Sequence, residues 1–82
     1  MEHFLYIIKC NDGSYYTGIT WNVEKRIKEH NLRIKSYLQK NKIPVKLAYS
    51  EKFATKIEAA RKEKEIKGWR REKKEKLINS LK

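Results

Sequence analysis

Residues 3–10, His-Phe-Leu-Tyr-Ile-Ile-Lys-Cys, restrict this chain more than any other stretch. Aromatic and β-branched side chains follow one another there without the alternation of a half-exposed strand. That pattern predicts a largely buried strand. Asn11-Asp12-Gly13 comes next, and all three residues tolerate positive φ, which makes a hairpin turn. The return strand covers residues 14–20, with Gly18 signalling a bulge or a close approach of another group to the backbone.

The rest of the chain reads as four further elements. Asn22 is placed to cap a helix running to about residue 30, with Val23, Ile27 and His30 or Asn31 at helical spacing. Residues 31–43 fit either a helix or an ordered loop, with Leu32, Ile34, Tyr37 and Leu38 as their apolar positions. Pro44 opens a third strand over residues 45–50, which alternates apolar and polar. Thr55 and Glu58 form a capping box for a helix over 56–67, whose apolar positions are Ile57, Ala60 and Ile66, with Ala59 beside them. Gly68 stops that helix, and Trp69 leads a last one to about residue 81, anchored by Leu77, Ile78 and Leu81. The order β-β-α-β-α-α, with no repeat or linker, predicts one α+β domain over residues 1–82: a small three-stranded antiparallel sheet flanked by helices.

A chain of 82 residues has room for only a thin core, burying about 60% of its unfolded surface. Its formal charge is +11, split as +5 before residue 50 and +6 after it, so the basicity is not a detachable tail. Such a surface attracts polyanions, of which nucleic acid is the usual one. Plain solubility is the competing explanation. Anionic lipid fits less well, because no helix pairs a broad aromatic and aliphatic face with a basic one. The single cysteine excludes an internal disulfide framework and a Cys-based zinc site, and suits a reducing compartment. No apolar run approaches the roughly 20 residues of a membrane span, and the first residues carry no export signal. A cytoplasmic protein is the expectation.

Tyr6 and Tyr16 fall on the two strands of one hairpin. Arg26 and His30 lie one helical turn apart on one face of the first helix, and Glu63 sits mid-helix among basic neighbours. These residues resemble the GIY-YIG nuclease superfamily. Phe4-Leu5-Tyr6 stands at the first triplet, keeping only the tyrosine, and Tyr16-Thr17-Gly18 stands at the second. The likeness is strongest to small stand-alone bacterial proteins of that superfamily. They share residues 16–20 (Tyr-Thr-Gly-Ile-Thr), His30-Asn31, residues 44–47 (Pro-Val-Lys-Leu) and the Glu-x-x-Ile-Lys-Gly-Trp of residues 63–69. The chain departs from those relatives at residues 32–36, Leu-Arg-Ile-Lys-Ser, where they often carry glycines.

The resemblance implies an endonuclease-like domain hydrolysing phosphodiester bonds in DNA, in repair or recombination. Its catalytic set would be Tyr6, Tyr16, Arg26, His30 and Glu63. Glu63 would hold one Mg²⁺ or Mn²⁺, whose octahedron water and phosphate oxygens complete. Arg26 would offer a planar fork to the phosphate. Tyr6, its pKa lowered by nearby cations, would take a proton from water, and His30 would exchange a proton or bond the phosphate. Arg26, Lys35, Lys67 and Lys73 would contact nucleic acid, DNA ahead of RNA. By spacing alone Glu63 and Glu65 are nearly equal candidates. The other class of function is a basic nucleic-acid-binding module of the same fold with little catalysis. In either case a monomer with a protein partner supplying specificity is expected, since so small a surface leaves little to read bases. Ordinary structural roles are expected for Tyr15 (packing or surface), Trp69 (core anchor), Trp21 (surface edge) and Cys10 (small buried hydrophobe).

Overall fold

The computed structural model describes residues 2–36 and 38–80; the expected apolar positions Tyr37 and Leu81 lie outside them. Strand β1 (His3–Lys9) is central in an antiparallel sheet of order β2-β1-β3, with β2 (Tyr15–Thr20) and β3 (Lys46–Phe53) on its two edges. Helix α1 (Val23–Leu32) covers one face, and α2 (Lys56–Lys67) with α3 (Arg71–Asn79) covers the other. Both faces of β1 are therefore capped, which explains its unbroken apolar run: Leu5, Tyr6, Ile7 and Ile8 are all buried. Tyr6 and Ile8 join Cys10, Leu38 and Val45 under Val23 and Ile27 of α1. Leu5 and Ile7 join Tyr49 and Ile66 under Trp69, Leu77 and Ile78. No helix among the described residues is long and apolar enough to cross a membrane.

Local signals set the joints. At the hairpin, Gly13 takes φ +88° and the Asp12 carboxylate accepts from the Ser14 amide at 3.0 Å. The Asn22 side chain accepts from the Lys25 amide at 3.0 Å and Thr55 from Glu58 at 3.2 Å, so both expected caps form. The described residues among 31–43 form the end of α1, a loop and a 3₁₀ turn (Lys40–Lys42). Asn31 holds this connection, accepting from the Val45 amide at 2.7 Å.

Three expectations are corrected. The third strand starts at Lys46 and runs on to Phe53, and it does not keep a simple alternation. Ile7 pairs with Tyr49 but Ile8 with Leu47, so Ala48 is an extra residue. That bulge turns Tyr49 towards α2 and α3 and Leu47 towards α1. In α2, Ile57 is 67% exposed while Ala59 and Ile66 are fully buried. Two residues are about 200° of helix, so Ile57 points away from the stripe that Ala59 begins. Trp69, finally, forms the corner between α2 and α3, and α3 itself starts at Arg71.

Thr17 faces the α2 side of the sheet, 3% exposed, and its hydroxyl has no hydrogen-bond partner among the described residues. A buried hydroxyl without a partner costs stability that an isosteric methyl does not. Thr17→Val should therefore stabilise the protein by about 1 kcal/mol, raising Tm by roughly 4–8 °C in thermal denaturation.

Candidate active site

Tyr6 of β1 points towards α1, because it alternates with Leu5 and Ile7, which face α2. Gly18 lies directly opposite it on β2. A Cβ at position 18 would come within 2.5 Å of the Tyr6 hydroxyl and 2.7 Å of its Cζ. The phenol therefore lies flat over the glycine backbone, which accounts for the close approach signalled in the sequence. Tyr16, two residues earlier on the same face of β2, stands with its ring centroid 6.4 Å from that of Tyr6.

Helix α1 brings the third ring. His30 is 1% exposed, and its Nε2 lies 3.0 Å from the Tyr6 hydroxyl. Its Nδ1 lies 2.7 Å from the Ser36 Oγ. The His30 ring also meets Tyr16 edge-on at 5.4 Å. Burial and the Arg26 guanidinium together hold the His30 pKa down to about 4, so the imidazole is neutral near pH 7. A neutral ring has one donor and one acceptor nitrogen. In the tautomer protonated at Nδ1, it donates to Ser36 and accepts from Tyr6.

Arg26 sits one turn before His30. Its guanidinium donates to the Lys35 carbonyl at 2.9 Å and pairs with Glu29 at 3.4 Å. Arg33 and Lys35, at φ +57° and +50°, are both left-handed without being glycine. The glycine-poor loop thus pays conformational strain and in return presents the Lys35 carbonyl to Arg26 and the Ser36 hydroxyl to His30. Neither contact has a sequence signal. Ser36 is the positioning residue that the sequence reading missed.

Helix α2 passes beside β2 in the opposite direction: Lys67, near its end, holds its ammonium 6.0 Å from the ring centroid of Tyr16. Glu63 follows Ala59 by four residues and so shares its inward stripe. The Glu63 side chain is 23% exposed and pairs with Lys67 at 3.6 Å, whereas Glu65 is 54% exposed and pairs with Lys62. Helical geometry thus separates two glutamates that spacing alone left nearly equal. The Tyr6 pKa is raised. Burial is the main cause, partly offset by Arg26, with Tyr16 and Glu63 adding to the rise. Without a metal ion, Arg26 alone does not lower the Tyr6 pKa, since desolvation of the phenolate outweighs the guanidinium.

Tyr6, Tyr16, His30, Arg26 and Glu63 thus converge from both strands of the hairpin and from the helices on either side. Lys67 joins them. Lys35 reaches the group through its backbone carbonyl. Lys73 is engaged elsewhere, 4.4 Å over the ring of Trp69 at the α2–α3 corner. Among the described residues no three His, Cys, Asp or Glu side chains group closely enough to hold a metal ion by themselves. One inward-facing carboxylate still fits Mg²⁺ or Mn²⁺, which commonly take one or two protein carboxylates and fill the octahedron with water and phosphate oxygens.

A hairpin whose two tyrosines meet a helix-borne arginine and histidine, with a glutamate arriving from the next helix, defines a catalytic domain of the GIY-YIG type. Residues 2–76 match the family model of the GIY-YIG catalytic domain, and the chain belongs to that family. It is similar to a UPF0213 protein of Staphylococcus saprophyticus, 49% identical over 78 residues that cover 95% of each chain. A UPF0213 protein of Staphylococcus haemolyticus is 48% identical over 77 residues, 94% of each. Two solution NMR structures share the fold. A UPF0213 protein of Bacillus halodurans superposes with TM-score 0.64 and 43% identity, over all of this chain and 86% of that one. A protein of E. faecalis gives TM-score 0.67 and 35% identity, over 99% and 86%.

Two outcomes are expected from this geometry. Gly18→Ala must push the Tyr6 ring off its seat, costing about 1–3 kcal/mol of stability in urea denaturation and breaking the bond to His30. The His30 pKa lies below its unfolded value, so its contribution to stability is full above pH 6.5 and is lost as pH falls through about 4. That loss should reach about 3 kcal/mol. Histidine NMR titration alongside thermal melts checks it: the His30 ring should stay neutral at pH 5.5.

Proposed function

We propose that residues 1–82 form a single domain acting as a divalent-metal-dependent endonuclease on DNA, with Tyr6, Tyr16, Arg26, His30 and Glu63 as its reacting groups. The observation that carries this reading is the bond between the buried neutral His30 and the buried Tyr6 hydroxyl, with Arg26 and Glu63 close enough to act on the phenol's charge. A buried structural tyrosine also needs one partner for its hydroxyl; packing alone does not call for a guanidinium and a carboxylate beside that pair.

Arg26 binds the non-bridging oxygens of the target phosphate, its guanidinium steadied by the Lys35 carbonyl. Donation of the Tyr6 O–H to His30 leaves acceptor capacity on the phenol oxygen, on the side where Arg26 lies. With Tyr6 only 1% exposed, the attacking water has to enter with the phosphate that Arg26 binds. The phenol oxygen accepts a proton from the attacking water as its own proton passes to Nε2 of His30. The raised pKa of Tyr6 makes this concerted handover preferable to a standing phenolate. Ser36 keeps the other imidazole nitrogen occupied, which fixes the ring through the transfer. Glu63 would hold the metal ion, which when bound neutralises phosphate charge and stabilises the departing oxygen. Lys67 adds positive charge beside Tyr16. The protein is read as a cytoplasmic monomer that gains its specificity from a partner, DNA repair or recombination being the setting.

Glu63→Gln should lower cleavage of DNA in Mg²⁺ or Mn²⁺ by about a hundredfold or more while leaving binding intact or tighter, since it removes a negative group that faces phosphate. Glu65→Gln, an outward-facing control, should cut as the wild type does, and EDTA should abolish cleavage. If Glu65→Gln loses cleavage and Glu63→Gln does not, Glu65 is the metal ligand; if neither change matters, the nuclease assignment at this site falls and the binding-module reading takes its place.

A further inference from the structure

Beside Arg26, at the end of β2, lies a hollow of about 420 Å³, lined by His3, Ile19, Thr20, Trp21, Arg26 and Lys56. Lys56 is the first residue of α2 and Lys67 the last, so the helix carries cations at both its ends, about 16 Å apart, one at this hollow and one beside Tyr16. Trp21 stands on the rim with 55% of its surface exposed. Two features set it apart from an isolated surface aromatic. The Lys25 ammonium lies 5.3 Å from its ring centroid, and Arg26 and Lys56 share its hollow. An exposed aromatic among cations along a groove is how proteins hold unpaired nucleotides: the ring stacks on a base while the cations follow the backbone. The other tryptophan is not available for this. Trp69 packs against the core at the α2–α3 corner.

We infer that Trp21 is a stacking platform for one unpaired nucleobase, next to the phosphate held by Arg26, with Lys56 contacting the following phosphate. The inference rests on the nuclease reading for the role of Arg26, and it deepens that reading by naming a specificity-determining residue. Base-paired DNA buries its base faces in the stack, so this contact favours a nucleotide that is unstacked or already single-stranded.

The test measures binding in EDTA, which separates it from cleavage. The probes are a short oligothymidylate, the same strand with one abasic position, and a duplex of equal length. Each is titrated against the wild type, Trp21→Ala, Trp21→Phe and Lys56→Ala at several salt concentrations. Trp21→Ala should weaken binding to the intact strand about tenfold, without changing the slope of affinity against salt. Trp21→Phe should recover most of that loss. The abasic position should cost the wild type a similar factor and cost Trp21→Ala little, because both changes remove the same contact. Lys56→Ala should reduce the salt slope by about 0.7, the share of one phosphate on a single strand. Equal affinity of Trp21→Ala and wild type for the intact strand would overturn the inference. So would an equal loss by Trp21→Ala on the intact strand, the abasic strand and the duplex, since that is packing and not stacking. Either result leaves the nuclease reading standing. A wild type that binds none of the probes at low salt would overturn both.

Discussion

Everything in this molecule depends on a strand covered on both faces. In a chain this small the sheet has only three strands, and β1 alone has neighbours on each edge and helices on each side. Four consecutive buried side chains, Leu5 to Ile8, supply two members to each half-core. Burial of that kind stabilises by about 1.5–3 kcal/mol for each large apolar side chain, upper figures for a compact unfolded state. It also fixes the register. A slip of one residue would turn Tyr6 towards α2 and Ile7 towards α1, exchanging the site for core.

The same constraint explains why a polar cluster can sit inside one half-core. Tyr6 keeps its ring within the apolar layer and sends only its hydroxyl to His30, while Ser36 serves the opposite imidazole nitrogen. Each buried polar atom of the pair has a partner, so the cluster costs little to bury and is held in one geometry. Desolvation then sets the protonation: neutral imidazole, protonated phenol. Strain is confined to the loop that follows, where Arg33 and Lys35 adopt left-handed backbone.

Gly18 and Thr17, neighbours on β2, answer to opposite faces of the sheet. Gly18 is needed because a tyrosine lies across it, and that tyrosine is placed to meet a histidine from another element. Thr17 departs from the family triplet at a position facing the core, where its hydroxyl finds no partner among the described residues. That departure leaves the Tyr6–Tyr16 cluster unchanged, because alternation puts residue 17 on the opposite face from Tyr16 and Gly18.

Element order, both caps and the hairpin turn were legible in the sequence because they follow from local chemistry: φ preferences of glycine and asparagine, short side chains capping helices, and apolar periodicity. The bulge at Ala48 and the outward turn of Ile57 were not, because each depends on how an element is rotated against a neighbour far along the chain. Pairing Glu63 with Tyr6 and Arg26 came from a family likeness; spacing alone could not separate it from Glu65. The sequence by itself determined which residues can donate, accept and carry charge. Only the tertiary structure decided that His30 is buried deeply enough to stay neutral, and that burial raises the pKa of Tyr6. It also decided that an unremarked serine holds the ring. These are properties of a dielectric and of distances, and both exist only once β1 is closed between its two layers of helices.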